Sequence, residues 1–84
     1  MSKAEKLFEK MRRNPRDNFS MEDIRSVCRL YGLECAPPKR GSHFTVWHES
    51  QEAILTMPHK RPIKPVYIRQ FVTYVSAVRM QSGD

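Results

Sequence analysis

A single histidine follows a glycine and two cations, and this run is the part of the sequence best suited to chemistry. Gly41-Ser42-His43 comes directly after Lys39-Arg40. Glycine lets the backbone come close to a ligand, and Lys and Arg can hold phosphate. Imidazole can take up or release a proton near neutral pH. It could therefore remove the 2′-hydroxyl proton of RNA, so that the oxygen attacks the neighbouring phosphate, while the cations stabilise the charge that develops there.

The charge of the chain is strongly unbalanced. It has fifteen Lys and Arg against nine Asp and Glu, a formal net charge of +6. No acid occurs between Ala53 and Gly83, a segment that includes Lys60, Arg61 and Lys64. This polarised pattern is typical of nucleic-acid binders, and we expect the three cations to form a phosphate-binding edge. The alternative is a solvated basic face without a ligand.

Three further side chains are candidates for contacts. Trp47 is predicted to share the sheet face of His43, where it could stack on a base or anchor a partner protein; alternatively it packs against the N-terminal helix of the chain. His59 lies in the basic segment and could contact phosphate or a partner. His48 lies five positions after His43 and should point to the opposite face, which favours a structural or idle role.

The cysteines and histidines do not predict a metal site. The spacing of Cys28 and Cys35 matches no zinc or redox motif, and core filling is the better interpretation. No two candidate ligands, His or Cys, show a recognised zinc spacing. We therefore expect neither metal nor cofactor.

Two helices are predicted before the histidine. The first covers residues 2–13, with Ser2 and Glu5 as a capping box, and ends before Pro15. The second has Ser20 as its N-cap and Gly32 at its C-terminal end.

The sequence after Gly32 predicts three strands and a last helix. Strands are expected at residues 33–36, 42–48 and 53–57. In the second, Phe44 and Val46 face one side and His43, Thr45 and Trp47 the other.

The segment 58–64 is predicted as a loop, and Lys64-Pro65 opens the last helix. Its predicted buried residues are Ile68, Phe71, Val72, Val75 and Val78. Tyr67 and Tyr74 lie off this stripe and could face a partner. The order predicts an α+β fold with a three-stranded antiparallel sheet and helices on one face.

Length and hydropathy limit the organisation of the chain. A length of 84 residues is enough for one domain, residues 1–84, and we expect residues 1–15 to form a helical leader within it. No apolar run approaches the ~20 residues of a membrane span. The polar, partly acidic start does not resemble a signal peptide, so we expect a cytoplasmic protein with no membrane partner.

From Pro15 onward the sequence resembles the HicA family, the mRNA interferase toxins of toxin–antitoxin modules. The motifs occur in the family's order. They are Tyr31-Gly32-Leu33-Glu34, Gly41-Ser42-His43, Ile54-Leu55-Thr56-Met57-Pro58-His59 and Ile63-Lys64-Pro65, preceded by Met11-Arg12-Arg13-Asn14-Pro15-Arg16-Asp17, which is similar to the leader of longer members.

The resemblance implies a double-stranded-RNA-binding-domain-like fold, ribosome-independent cleavage of mRNA, and a HicB-type antitoxin that blocks the active site. It places the family's catalytic histidine on His43, and no direct DNA binding is expected. Two positions depart from the family pattern. Pro58 and His59 are adjacent, where members often have one residue between them, and Phe44 occupies a position that is frequently polar. His59 therefore has no secure counterpart.

Two other functions remain open from the sequence. A non-catalytic RNA-binding module of the same fold would bind RNA in a salt-sensitive way without cutting it. A protein-interaction domain would use its basic face for an acidic partner and would show only nonspecific attraction to RNA.

Overall fold

Three helices and three short strands make up the protein, whose structure is a computed structural model that describes residues 2–81. The elements are α1 Lys3–Arg13, α2 Met21–Tyr31, β1 Glu34–Ala36, β2 His43–Trp47, β3 Leu55–Pro58 and α3 Pro65–Gln81. The strands form one antiparallel sheet in the order β1-β2-β3. The predicted α+β class is therefore confirmed. The predicted domain also includes residues 1 and 82–84, which lie outside the described range.

The predicted helix ends are confirmed by their hydrogen bonds. The Ser2 hydroxyl accepts from the Glu5 N–H at 3.1 Å, and the Glu5 carboxylate accepts from the Ser2 N–H at 2.9 Å. At the start of α2, the Asp23 carboxylate accepts from the Ser20 N–H at 3.0 Å. Gly32 ends α2 with φ +77°, a left-handed conformation that favours glycine.

One face of the sheet is buried beneath the helices. Phe44 and Val46 of β2 have no exposed surface, whereas His43 and Trp47, which alternate with them, are exposed. This is the alternation predicted for β2. The helices complete the core with residues that include Phe8, Met11, Ile24, Ile68, Phe71 and Val75. Helix α1 packs on α2 and α3, so the leader belongs to the helical layer.

The strand ends differ from the sequence prediction by one or two residues. Strand β2 excludes His48, whose N–H donates to the Tyr74 hydroxyl instead of to a neighbouring strand. Strand β3 begins later than predicted and includes Pro58, which the sequence pattern assigns to the following loop. Proline is tolerated here because β3 is an edge strand and Pro58 is its last residue. Val72, predicted as buried, is only partly buried. Among residues 2–81, no helix is long and apolar enough to cross a membrane.

Candidate functional site

The Gly41-Ser42-His43 run lies where the chain turns into β2. Gly41 has φ +78°, in the left-handed region that other residues adopt only with strain. An added Cβ would meet no atom within 4 Å, so the requirement for glycine is conformational rather than steric. The Ser42 carbonyl accepts a hydrogen bond from the His59 N–H. This bond ties the start of β2 to the segment that follows β3, and so fixes the position of His43.

His43 presents its imidazole to solvent on the sheet face opposite the helices. Its partner across the sheet is Pro58, which carries no polar group on its side chain. Within the described part of the chain, the His43 ring makes no hydrogen bond, ion pair or ring contact. Both ring nitrogens are therefore open to a ligand. Equally, no protein group fixes the orientation of the ring, as an adjacent carboxylate does in many catalytic sites.

Two loops rich in cations flank His43. The first basic loop precedes β2 and the second basic loop follows β3. Since β2 begins where the antiparallel β3 ends, both loops lie at the same end of the sheet as His43. The cations are Lys39 and Arg40 in the first basic loop, and Lys60, Arg61 and Lys64 in the second, and all five are exposed.

These cations are not neutralised by close ion pairs. Both ion pairs found within residues 2–81 involve side chains of α1. The second basic loop does have acidic neighbours, because Lys60 and Arg61 line the same groove as Glu22 and Asp23 at the start of α2. Nearby carboxylates lower the positive potential of a surface. The first basic loop is therefore the stronger candidate for holding a phosphate beside His43.

His59 is not brought next to His43. Its ring lies edge-on to Phe44, with ring centroids 6.4 Å apart. Because Phe44 belongs to the buried face of the sheet and His43 to the open face, the two imidazoles do not form an acid–base pair. The His59 side chain is exposed in the groove of Lys60 and Arg61. The predicted contact of His59 with phosphate or a partner remains a prediction.

The open face of the sheet also carries two exposed apolar side chains. Trp47 is 36% exposed and Ile54 is 63% exposed. Leu55 pairs with Val46, so continuing that register places Ile54 opposite Trp47. Helix α1 packs on the other helices and does not cover Trp47. The packing of Trp47 against the leader, considered from the sequence, is therefore wrong. Ile54 was missed as a surface residue, although its alternation with Leu55 would have indicated it.

His48 and Tyr74 hold the turn at the far end of the sheet. The His48 Nδ1 accepts a hydrogen bond from the Ser50 N–H at 3.0 Å. The Tyr74 hydroxyl donates to the Ala53 carbonyl at 2.6 Å and accepts from the His48 N–H at 3.2 Å. Of the two roles predicted for His48, structural or idle, these hydrogen bonds show the structural one. Tyr74, a candidate partner-facing residue from the sequence, instead connects α3 to the β2–β3 turn.

Comparison with protein-family models, curated proteins and solved structures found no match for this chain. The described residues contain no group of three or more His, Cys, Asp or Glu that could hold a metal ion. The resemblance to HicA and the double-stranded-RNA-binding-domain-like fold therefore remain predictions from the motifs quoted above.

Proposed function

We propose that this chain is the toxin of a HicA/HicB-type module, an endoribonuclease that cuts mRNA in the cytoplasm without the ribosome. The observation that carries the proposal is the exposed imidazole of His43, at the end of the sheet where the two basic loops meet. A backbone phosphate held by these cations would lie within reach of a group that can transfer protons near neutral pH.

His43 would act as the general base in strand scission. It takes the proton from the ribose 2′-hydroxyl, and the 2′-oxygen then attacks the adjacent phosphorus as the bond to the 5′-oxygen breaks. Lys39 and Arg40 stabilise the charge on the phosphoryl oxygens, while Gly41 and Ser42 let the backbone approach them. A guanidinium is a poor proton donor in acid–base catalysis, so Lys39 or a bound water supplies the proton to the 5′-oxygen. The products end in a 2′,3′-cyclic phosphate and a 5′-hydroxyl.

The exposed apolar pair on the open face supports a protein partner. Trp47 and Ile54 lie on the same sheet face as His43, and large aromatic side chains often dominate the energy of protein interfaces. A HicB-type antitoxin bound to this face would block access of RNA to His43. A complex that leaves His43 accessible to solvent would contradict this mode of inhibition.

The nature of the nucleophile provides the test of the mechanism. An RNA substrate is compared with the same RNA carrying one 2′-deoxy nucleotide on the 5′ side of the cut. We expect loss of cleavage at that position and a cyclic phosphate on the products of the unmodified RNA. Cleavage of the deoxy substrate, or products with a 5′-phosphate, would contradict the mechanism and indicate hydrolysis by an activated water.

The alternative is a non-catalytic RNA-binding module of the same fold. It is favoured by one observation, namely that no neighbouring side chain within residues 2–81 orients the His43 ring. This alternative predicts salt-dependent RNA binding that is unchanged by His43→Ala and no cleavage product under any condition. Measuring binding and cleavage on the same RNA separates the two functions.

A further inference from the structure

The two cysteines come from different elements but are neighbours in the fold. Helix α2 ends at Gly32, which reverses the chain, and the Leu33 N–H donates to the Cys28 carbonyl at 2.9 Å. Strand β1 then returns along α2. Cys35, at the centre of β1, packs against the core cluster that contains Cys28. Both are free thiols.

The surroundings of the two sulfurs are unequal. The interaction with the Cys28 thiol favours the negative charge on the Cys35 sulfur, and the positive charge of Arg25, one turn earlier on α2, acts in the same direction. These interactions lower the pKa of Cys35 to about 7. The hydrogen bond to Cys35 and burial raise the pKa of Cys28, and the charge of Glu34 acts in the same direction. Near pH 7 about half of Cys35 is therefore thiolate, while Cys28 stays protonated.

Access to solvent differs in the same sense. Cys28 is 2% exposed, whereas Cys35 is partly exposed. Cys35 is therefore the more accessible of the two to a dissolved reagent, and Cys28 lies in the core against which Cys35 packs. A thiolate that is partly accessible and adjacent to a second thiol is the arrangement found in cysteines that react reversibly with oxidants.

We propose that Cys35 and Cys28 form an oxidation site for hydroperoxides, with Cys35 as the attacking sulfur and Cys28 as the resolving one. The Cys35 thiolate attacks one peroxide oxygen, the O–O bond breaks, and the released oxyanion takes a proton from water. Cys35 is now a sulfenic acid. The Cys28 sulfur then attacks it, an S–S bond forms, and the hydroxyl leaves with the Cys28 proton as water. Two thiols are oxidised and one peroxide is reduced.

This site is independent of the proposed ribonuclease activity, since neither cysteine belongs to the His43 end of the sheet. Cys35 lies opposite Val46, in the half of β2 away from His43. The disulfide would join α2 to β1 and close a short loop around Gly32. A dithiol reductant would reverse it by thiol–disulfide exchange.

The first test is the pH dependence of alkylation of the folded full-length chain by iodoacetamide. We expect Cys35 to react and Cys28 to remain unmodified, with the rate of Cys35 half-maximal at a pH of about 7. An ordinary cysteine would reach half its maximal rate near pH ~8.5. At pH 7 the difference corresponds to about 16-fold more thiolate. A profile like that of an ordinary cysteine would overturn the proposed role of Cys35.

The second test uses hydrogen peroxide followed by tryptic digestion without reductant. Trypsin cuts after Arg29, which lies between the two cysteines. The disulfide should therefore appear as two joined peptides that have lost two hydrogens and that separate on addition of dithiothreitol. In Cys28→Ala we expect a sulfenic acid on Cys35 that dimedone traps, and in Cys35→Ala no oxidation of Cys28. Over-oxidation of Cys35 in the unmodified chain without the internal disulfide would refute the resolving role of Cys28, and that result does not require either variant to fold.

Discussion

Tyr74→Phe should destabilise the protein by removing one oxygen atom. That hydroxyl donates to the Ala53 carbonyl at 2.6 Å and accepts from the His48 N–H at 3.2 Å. Each hydrogen bond contributes about 1 kcal/mol net, and the partly buried His48 N–H would lose the only partner that it has within residues 2–81. We therefore expect the free energy of unfolding to fall by about 1–2 kcal/mol. For a chain of this size, the melting temperature should fall by roughly 4–8 °C for each kcal/mol lost.

Tyr67→Phe is the matched control for this experiment. Tyr67 lies on the same helix and is also partly buried, yet its hydroxyl makes no hydrogen bond within the described residues. Thermal and urea unfolding of both variants, followed by circular dichroism, would give the two losses. We expect a change within about 0.5 kcal/mol for Tyr67→Phe. Equal losses in the two variants, or no loss in Tyr74→Phe, would refute the role assigned to the Tyr74 hydroxyl.

Three further predictions concern the turn, the basic loop and α1. Gly41→Ala should lower the free energy of unfolding, measured with urea, by about 1–2 kcal/mol, because φ is +78°. The space around Gly41 is open, so this loss comes from the backbone conformation alone; an unchanged free energy of unfolding would contradict this. Arg40→Gln should weaken RNA binding and reduce the slope of log K against log salt by about 0.7, while the α1 control Arg13→Gln should leave both unchanged. Hydrogen bonds from Ser2 lower the pKa of Glu5. The pKa of Asp17 is lowered mainly by the hydrogen bond from the Asn18 N–H and, to a smaller extent, by the hydrogen bond from Lys10. Lowered carboxyl pKa values add stability above pH ~4 that is lost as the pH falls further. A free energy of unfolding that stays constant on acidification would contradict this.

Local signals in the sequence predicted most of the fold. The N-termini of α1 and α2 are predicted by a Ser with an acid three residues later, because such capping depends on neighbours along the chain. The faces of β2 followed from alternation, which places Phe44 under the helices and His43 in solvent. The extent of β3 was less accurate, since edge-strand pairing and not residue type decides whether Pro58 belongs to the strand.

Contacts between distant residues were not predictable in the same way. The Tyr74 hydroxyl meets residues 21 and 26 positions earlier in the chain, and no spacing rule indicates such a contact. The approach of Cys35 to Cys28 depends on the chain reversal at Gly32 and on the packing of β1 against α2. For the site, the sequence predicted His43 and the flanking cations, whereas the turn of His59 toward Phe44 became apparent only in the fold.

The most direct test of the central claim is cleavage of a purified mRNA in excess EDTA by the unmodified protein and by His43→Ala. The open-face variant Thr56→Ala serves as the control for an exposed residue of the same surface. His43→Ala should change the free energy of unfolding by no more than about 0.5 kcal/mol, since the side chain is exposed and makes no hydrogen bond, ion pair or ring contact within residues 2–81. It should nevertheless reduce the cleavage rate by about 10²-fold or more, while Thr56→Ala cuts normally. Equal cleavage by the unmodified protein and His43→Ala, or no cleavage by either with unchanged RNA binding, would contradict the account.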